Sequence, residues 1–149
     1  MFSPACEPQT DKEWLAYYDL RWRILRKPWG QPLGNEKDVF DDTAVHRCII
    51  DDKQNIIAIG RLHFIDENTA QIRYMAVEPQ YEKQGLGSAI LQSLEQAALQ
   101  NNIHKIMLHS RDTAIGFYEK RHYQKIKPSH TLYNEIKHIL MEKQFKAEK

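Results

Sequence analysis

The sequence predicts a mixed α/β (α+β) fold in which antiparallel strands are followed by a parallel pair. Three segments rich in β-branched residues follow one another with short polar turns between them, which is typical of an antiparallel meander. A helical pattern and another apolar strand come after the third segment, and this strand, helix, strand order indicates parallel strands joined by a crossover helix. The 149 residues fit the usual size of one domain, so we expect a single domain over residues 1–149.

The first element is predicted to be an amphipathic helix. Thr10 and Glu13 have the spacing of a capping box, in which both side chains bond to backbone amides at the start of a helix. Pro28 and Gly30 end the helical pattern, and residues 27–40 form a long loop without periodicity. Within the helix, apolar residues recur every three or four positions and predict one buried stripe, formed by Trp14, Leu15, Tyr18, Trp22 and Leu25.

The later elements follow from the same kinds of pattern. Apolar residues after position 88 repeat with helical spacing, and Asp112 is placed to cap a further helix. The predicted strands are 45–51, 56–65, 70–77, 105–109, 123–127 and 136–142, and the predicted helices are 88–100 and 112–120.

The charge balance argues against a protein that binds nucleic acid. Lys and Arg total 21 and Asp and Glu total 20, which gives a net charge of +1, whereas binding to phosphate backbones requires a concentrated basic surplus. The basic residues near the C-terminus alternate with Glu142 and Glu148 and are expected to form a solvated tail: Lys137, Lys143, Lys146 and Lys149.

Neither a membrane protein nor a metalloprotein is predicted. The N-terminus lacks the basic and apolar regions of a signal peptide, and no apolar run approaches the ~20 residues that span a bilayer. Cys6 and Cys48 are too few for a disulfide framework, so we expect two reduced thiols in a cytoplasmic protein. His46 has no second His or Cys nearby, so loop capping explains the neighbouring aspartates better than a metal site does.

The segment between the third strand and the following helix has the features of a phosphate-binding loop. Gly85 and Gly87 allow the backbone to approach a ligand closely, and the helix start offers unpaired amides and the positive end of the helix dipole. The segment lacks the third glycine of the dinucleotide fingerprint and the Gly-Lys-Ser/Thr of a P-loop. On the glycines alone, a phosphate site and an ordinary glycine-rich turn remain equally open.

This loop is one of several motifs that occur in order. Residues 75–79 read MAVEP, residues 82–87 read EKQGLG and residues 114–123 read AIGFYEKRHY. Together they resemble the GNAT superfamily of N-acetyltransferases, and in particular its small bacterial members. The resemblance implies a GNAT-like sheet whose central parallel strands are splayed, with acetyl-CoA bound as cosubstrate in the cleft. It also implies transfer of an acetyl or short acyl group to a primary amine by direct attack in a ternary complex.

The resemblance assigns roles to particular residues. Tyr118 is implied to be the acid that protonates the departing thiolate, although a core aromatic is the alternative. The base remains open between Glu78, a water chain and other side chains, namely His46, His63, Glu36, Asp38, Asp41 and Asp42. The residues implied to bind the cosubstrate are Met75, Ala76, Val77, Lys83, Gln84, Gly85, Leu86, Gly87, Ser88, Ala89, Arg111, Ala114 and Phe117.

Three residues depart from the family pattern. Glu82 stands where Gln or Arg is usual, Arg111 where many members have Asn, and His122 where glycine is usual. The backbone amides of the loop do not depend on these side chains. Glu82 nevertheless supports a second hypothesis, a catalytically weak CoA-binding sensor or regulatory module. A Rossmann-type domain is disfavoured by the antiparallel strands before the loop and by the missing third glycine.

The acceptor is predicted only in outline. In this fold the first helix and the loop after it commonly wall the acceptor pocket, so Arg23, Arg26 and Trp29 either contact the acceptor or belong to an exposed helix face. We expect a small-molecule amine or an amine of a peptide or protein as acceptor. The closing strands of this fold often pair, which implies a homodimer.

Overall fold

The computed structural model describes residues 1–146, so Glu148 and Lys149 of the predicted tail lie outside the described residues. The strands form one six-stranded sheet: β1 (Val45–Ile50), β2 (Ile56–Phe64), β3 (Thr69–Val77), β4 (Lys105–Arg111), β5 (Gln124–Leu132) and β6 (Ile136–Gln144). Their spatial order is β1-β2-β3-β4-β6-β5. β3 and β4 are parallel and the other neighbouring pairs are antiparallel, which confirms the mixed sheet and its N-terminal meander.

Helices cover both faces of this sheet. They are α1 (Asp11–Leu25), α2 (Leu86–Gln100) and α3 (Ile115–Glu119). α1 packs on β2 and β3, where Leu20 joins a buried apolar cluster. α2 connects β3 to β4 as the predicted crossover helix and packs on the opposite face, where Ile90 and Leu94 lie in a second cluster. Tyr118 of α3 belongs to that second cluster, so α3 lies on the same face as α2.

The start of α1 confirms the predicted cap, but its buried face differs from the predicted stripe. The Thr10 hydroxyl accepts a hydrogen bond from the Glu13 amide at 3.1 Å, and the Glu13 carboxylate accepts one from the Gln9 amide at 2.9 Å. Leu15 is 73% exposed, and the prediction that it is buried was wrong. The buried residues of the helix are Tyr17, Leu20, Arg21 and Leu25. A search for apolar residues at helical spacing does not find this buried face, because Tyr17 and Arg21 occupy two of the four buried positions.

The C-terminal half differs from the predictions in two places. Asp112 does not cap a helix, because residues Asp112–Ala114 form a 3-10 turn and neither this turn nor α3 has a side-chain cap. The predicted tail is largely a strand, since β6 pairs along its length with β4. Within this strand, Lys143 donates a hydrogen bond to the largely buried carboxylate of Glu95 at 3.1 Å, so this lysine is not part of a solvated tail.

The central parallel strands are splayed, as the resemblance implied. β3 pairs with β4 only over Thr69–Ile72, opposite residues 105–108, although both strands continue beyond that point. A β-bulge explains the divergence. Arg73 pairs with Arg61 and Ala76 pairs with Ile59, so Tyr74 and Met75 together oppose one residue of β2. Such a bulge bends its strand, and Tyr74 adopts a φ of 61° within it.

Two further segments finish the edges of the sheet. Ser3 and Cys6 form backbone hydrogen bonds with β1, so the N-terminal segment covers part of that edge. The thiols of Cys6 and Cys48 are both free, with their sulfurs 3.9 Å apart. β5 forms the opposite edge and is exposed along most of its length. No helix of the described residues is long and apolar enough to cross a bilayer.

Candidate active site

The divergence of β3 and β4 opens a cavity of about 360 Å³, which is large enough for a small ligand. Residues 71–75 of β3 and residues 108–111 of β4 form its two walls. Leu25 and Arg26, at the end of α1, close it on the α1 face of the sheet. The remaining lining residues come from the α3 region and the β5–β6 hairpin: Ala114, Tyr118, His130, Leu132 and His138.

Tyr118 lines this cavity, and its hydroxyl has no hydrogen-bond partner among the described residues. The residue is only 8% exposed and packs against Phe117 and Tyr123. Burial raises the pKa of Tyr118 to about 12, and the nearby charges of Arg111 and Arg121 act in the opposite direction. The phenol therefore stays protonated over the whole physiological range and is available as a hydrogen-bond donor.

The loop before α2 exposes a row of backbone amides. Lys83 and Gly85 have positive φ values of 64° and 82°, and Gly85 immediately precedes the helix. No amide of residues 83–88 donates a hydrogen bond to a described residue, whereas the amide of Ala89 already bonds to the Gly85 carbonyl. Six free amides at the positive end of a 15-residue helix form a concave site suited to a pyrophosphate.

Side chains near this loop add positive charge and connect it to the cavity. Arg121 donates a hydrogen bond to the Ser88 hydroxyl at 3.2 Å, and its guanidinium lies over the Phe117 ring. A Cβ at Gly87 would be 3.4 Å from the Phe117 ring and 3.9 Å from Val77, so the loop touches both α3 and the end of β3. The loop and the cavity are therefore adjacent parts of one site.

A family model described as Acetyltransferase (GNAT) family matches residues 14–123, from α1 to the residue before β5. The chain belongs to this family. In general, members transfer an acetyl group from acetyl-CoA to an amine. The uncharacterized protein YyaT of Bacillus subtilis (strain 168) is 30% identical over 115 residues, which cover 74% of this chain and 76% of YyaT.

Solved structures of acyltransferases share the fold of this GNAT family member. An acyl-CoA N-acyltransferase from Pseudomonas aeruginosa superimposes with a TM-score of 0.78 at 20% identity, covering 95% of this chain and 97% of the other. An aminoglycoside 6'-N-acetyltransferase complexed with coenzyme A superimposes with a TM-score of 0.81 at 12% identity, covering 100% and 99%. At these identities the likeness concerns the fold.

Most of the predicted cosubstrate residues of this GNAT family member lie together. Met75, Arg111 and Ala114 line the cavity beside Tyr118, while residues 83–89 form the adjacent loop. Ala76 is buried on the α1 face, because the bulge reverses the alternation of β3: Ile72 faces the α2 cluster, whereas Tyr74 and Ala76 face the α1 cluster. Glu82 is exposed and forms no ion pair with the described residues.

Glu78 lies apart from Tyr118. Its carboxylate accepts two hydrogen bonds from Arg23, at 3.0 and 3.3 Å, and Arg23 also pairs with Asp19. These residues line a second cavity, of about 500 Å³, between α1 and the β1–β2 turn. Of the three side chains predicted at the acceptor, Arg26 alone lines the Tyr118 cavity, while Trp29 stacks on Tyr133 with ring centres 6.2 Å apart.

The acidic loop residues and two histidines form a buried network behind the cavity. Asp41 accepts hydrogen bonds from Arg21 at 2.9 Å and Arg61 at 3.0 Å, and both arginines are fully buried. His46 bonds to the Tyr17 hydroxyl and to the Asp41 carbonyl, and burial lowers the pKa of His46. The network fixes the loop after α1. No cluster within residues 1–146 has the geometry of a metal site.

Sequence reasoning missed several residues of the site. Arg73 and the histidines of the cavity, His109, His130 and His138, were not singled out, and neither was Arg121. Alternation along β4 would have placed His109 and Arg111 on the same side, because residues two apart in a strand share a face. Nothing local indicates that His130 and His138 stack beside them, because that contact arises from the hairpin.

Proposed function

We propose that this protein transfers an acetyl or short acyl group from acetyl-CoA to a primary amine, by direct attack in a ternary complex. The observation that carries the proposal is the unpaired Tyr118 hydroxyl in a cavity that adjoins six unpaired backbone amides. Family membership supports it. In this proposal residues 1–149 act as one domain.

The residues present fit acetyl-CoA. The free amides of residues 83–88 would bind the pyrophosphate, with Arg121 supplying a charge-assisted contact beside Ser88. Residues Met75 to Val77, at the unpaired end of β3, would bind the pantetheine arm through their backbone. Ala114, which lines the cavity, and Phe117, which touches the loop at Gly87, would contact the arm between these two parts, whereas Arg111 lines the cavity beside Tyr118. This arrangement would bring the thioester to Tyr118.

The reaction needs a donor for the departing sulfur. As the amine nitrogen forms its bond to the acyl carbon, the carbon–sulfur bond breaks and charge develops on sulfur. Tyr118 is the proposed donor, because it lines the cavity and its hydroxyl has no hydrogen-bond partner among the described residues. With its pKa raised to about 12 by burial, it would stabilise the thiolate chiefly by a hydrogen bond, and any proton that it passes to the sulfur would be replaced from solvent as the products separate.

The amine must also lose a proton. Glu78 remains the proposed base inferred from the family motif, and because Arg23 holds it in the second cavity, apart from Tyr118, it would act through water. The cavity itself offers His109. Its buried Nδ1 has no hydrogen-bond partner among the described residues, and burial lowers the pKa of His109, so the imidazole is neutral near pH 7.

Tyr118→Phe tests the proposal. We expect kcat for thiol release from acetyl-CoA to fall about 10²-fold, as for loss of a transition-state donor, while the Kd for acetyl-CoA by calorimetry stays within a factor of about two. Tyr123→Phe is the matched control, since that buried phenol donates to Glu95 and lies outside the cavity. An equal loss of binding and turnover in Tyr118→Phe would contradict the acid role.

Glu82 favours a second candidate, a CoA-binding sensor or regulatory module. Its exposed carboxylate follows the turn that leads into the amide row and has no partner among the described residues. A sensor would bind acetyl-CoA in the calorimeter without releasing thiol for any amine. The enzyme proposal requires both binding and amine-dependent release.

A further inference from the structure

The cavity that Tyr118 lines carries the positive charge of three arginines, Arg26, Arg73 and Arg111. Three histidines also line it, namely His109, His130 and His138, and none of the lining residues is an Asp or Glu. The chain as a whole is nearly neutral, with 21 basic and 20 acidic side chains, so this separation is a local property of the cavity.

Two of these arginines lack a carboxylate partner. Arg26 is 6% exposed, and its hydrogen bonds go to the backbone carbonyls of Leu25 and Asn35, at 3.1 and 3.4 Å. The guanidinium of Arg111 forms no hydrogen bond or ion pair with another described residue, and the contacts of this residue are made by its backbone. Arg26 and Arg111 line the same cavity. Burial lowers the pKa of Arg111, and the charge of Arg26 acts in the same direction.

Elsewhere the protein neutralises its buried arginines. Arg21 and Arg61 share Asp41, and Arg61 also contacts Asp38. Arg73, which is 43% exposed, is the one arginine of the cavity that pairs with a carboxylate within residues 1–146, that of Asp38 at 3.4 Å. Keeping two unpaired guanidinium groups together in a half-buried site is unfavourable unless an anion binds between them.

The phosphates of CoA are not the anion that this site would hold. The free amides of residues 83–88 do not line the cavity, and they begin α2, on the opposite face of the sheet from α1. Arg26 follows the last residue of α1. The anion therefore enters from the side of the sheet where, on the proposed function, the amine acceptor binds.

We propose that the acceptor is a small amine that carries a carboxylate, and that Arg26 and Arg111 bind that carboxylate. This inference rests on the proposed function. Guanidinium groups bind carboxylates through two parallel hydrogen bonds, which fixes the orientation of the substrate as well as its position. The same charges repel polycationic amines, so the site selects against polyamines and aminoglycosides.

A panel of matched amines tests the substrate class by thiol release. It contains α-amino and ω-amino acids, the primary amide of each, and diamines of the same chain lengths. We expect kcat/KM for the best amino acid to exceed that of its amide about 10²-fold, with diamines slower still. Equal or faster reaction of the amides or diamines would overturn the inference. If no amine releases thiol although acetyl-CoA still binds in the calorimeter, the proposed function is wrong and this inference fails with it.

Arg26 variants test the site itself. Arg26→Gln should raise KM for the amino acid 10-fold or more and reduce the preference for acid over amide, with the Kd for acetyl-CoA unchanged. Arg26→Lys keeps the charge and should retain part of that preference. Lys27→Gln, at the exposed neighbouring position, is the control and should leave the preference intact. If Arg26→Gln lowers the activity on acid and amide equally, Arg26 has only a structural role and the inference is wrong.

Discussion

At the scale of single residues, Asp41 holds together the interior behind the cavity. Its carboxylate lies between two fully buried guanidinium groups, those of Arg21 and Arg61, and is itself 6% exposed. Burial alone would raise the pKa of Asp41, but the charge of Arg21 and the hydrogen bonds from the Asp38 amide and the two arginines lower it below its ordinary value. Tyr74 adds to this cluster, since Arg21 lies 4.0 Å from its ring centre. The loop after α1 is thus fixed to the sheet by charge.

Asp41→Asn should therefore be severely destabilising. It removes the carboxylate that Arg21 and Arg61 share, and leaves only Asp38, whose charge is also shared with Arg73. Breaking a buried pair in this way typically costs about 3–5 kcal/mol. Asp38 still contacts Arg61, so we expect a loss near the lower end, about 3 kcal/mol, in urea denaturation. The exposed neighbour provides the control, because Asp42→Asn should change stability by less than about 0.5 kcal/mol. Equal effects of the two substitutions would contradict this role of Asp41.

At the scale of elements, the bulge in β3 shapes the site, and Gly60 of β2 accommodates it. A Cβ at Gly60 would lie 2.5 Å from Ile90 Cγ2 and 2.6 Å from Met75 Sδ, so α2 and the bulged residue both press on this position. The Tyr17 hydroxyl also bonds to the Gly60 carbonyl, at 3.2 Å. Packing from both faces of the sheet thus converges on one glycine.

Gly60→Ala should disturb both layers. We expect a loss of about 1–3 kcal/mol in thermal or urea unfolding, as for other overpacked cores. Gly116→Ala is the matched control, because a Cβ there meets nothing within 4 Å and alanine favours α3. It should leave stability unchanged or raise it by up to about 1 kcal/mol. If Gly60→Ala leaves the free energy of unfolding unchanged, α2 and Met75 can move aside without cost, and the prediction is wrong.

The elements were largely predictable because their signals are local. Strand alternation, polar turns and the helical spacing after Gly87 each lie within a dozen residues, and the observed bounds mostly agree with the predicted ones. The bulge was not predictable, because it depends on Gly60 facing Tyr74 and Met75 across two strands. The loop amides and Tyr118 were accessible through sequence motifs. The arginine lining was not predictable, since Arg26 and Arg111 are 85 positions apart in the sequence and come to line one cavity only in the fold.

At the scale of the whole molecule, histidines make stability depend on pH near neutrality. Burial lowers the pKa of His46 and His63, and in the cavity it lowers the pKa of His109 and His138. The unfolded chain takes up these protons near the ordinary value of 6.5, before the folded chain does. Above pH 6.5 these histidines are neutral in both states and do not lower the stability. As the pH falls from 6.5 through their pKa values in the folded state, the unfolded chain gains protons first and stability is lost.

The midpoint temperature of thermal unfolding should accordingly decrease when the pH is lowered from 7 to 5. Each histidine that stays neutral in the folded state contributes a slope of up to about 1.4 kcal/mol per pH unit. Asp38, with its pKa lowered to about 2 by Arg61 against the effect of its burial, affects stability only below pH 4. His46→Asn should flatten the profile. A midpoint that is constant or rises on acidification would contradict this account.

The short seam between β3 and β4 has a consequence for rigidity. Four residue pairs join the meander β1–β3, with its helix α1, to the strands β4–β6. On the proposed function both substrates bind across this seam, so each complex links the two halves more firmly than the backbone does alone. A ligand at one hundred times its Kd adds about 2.7 kcal/mol to the stability of the folded state. On the proposed function, the folded state is therefore least stable when neither substrate is bound across the seam.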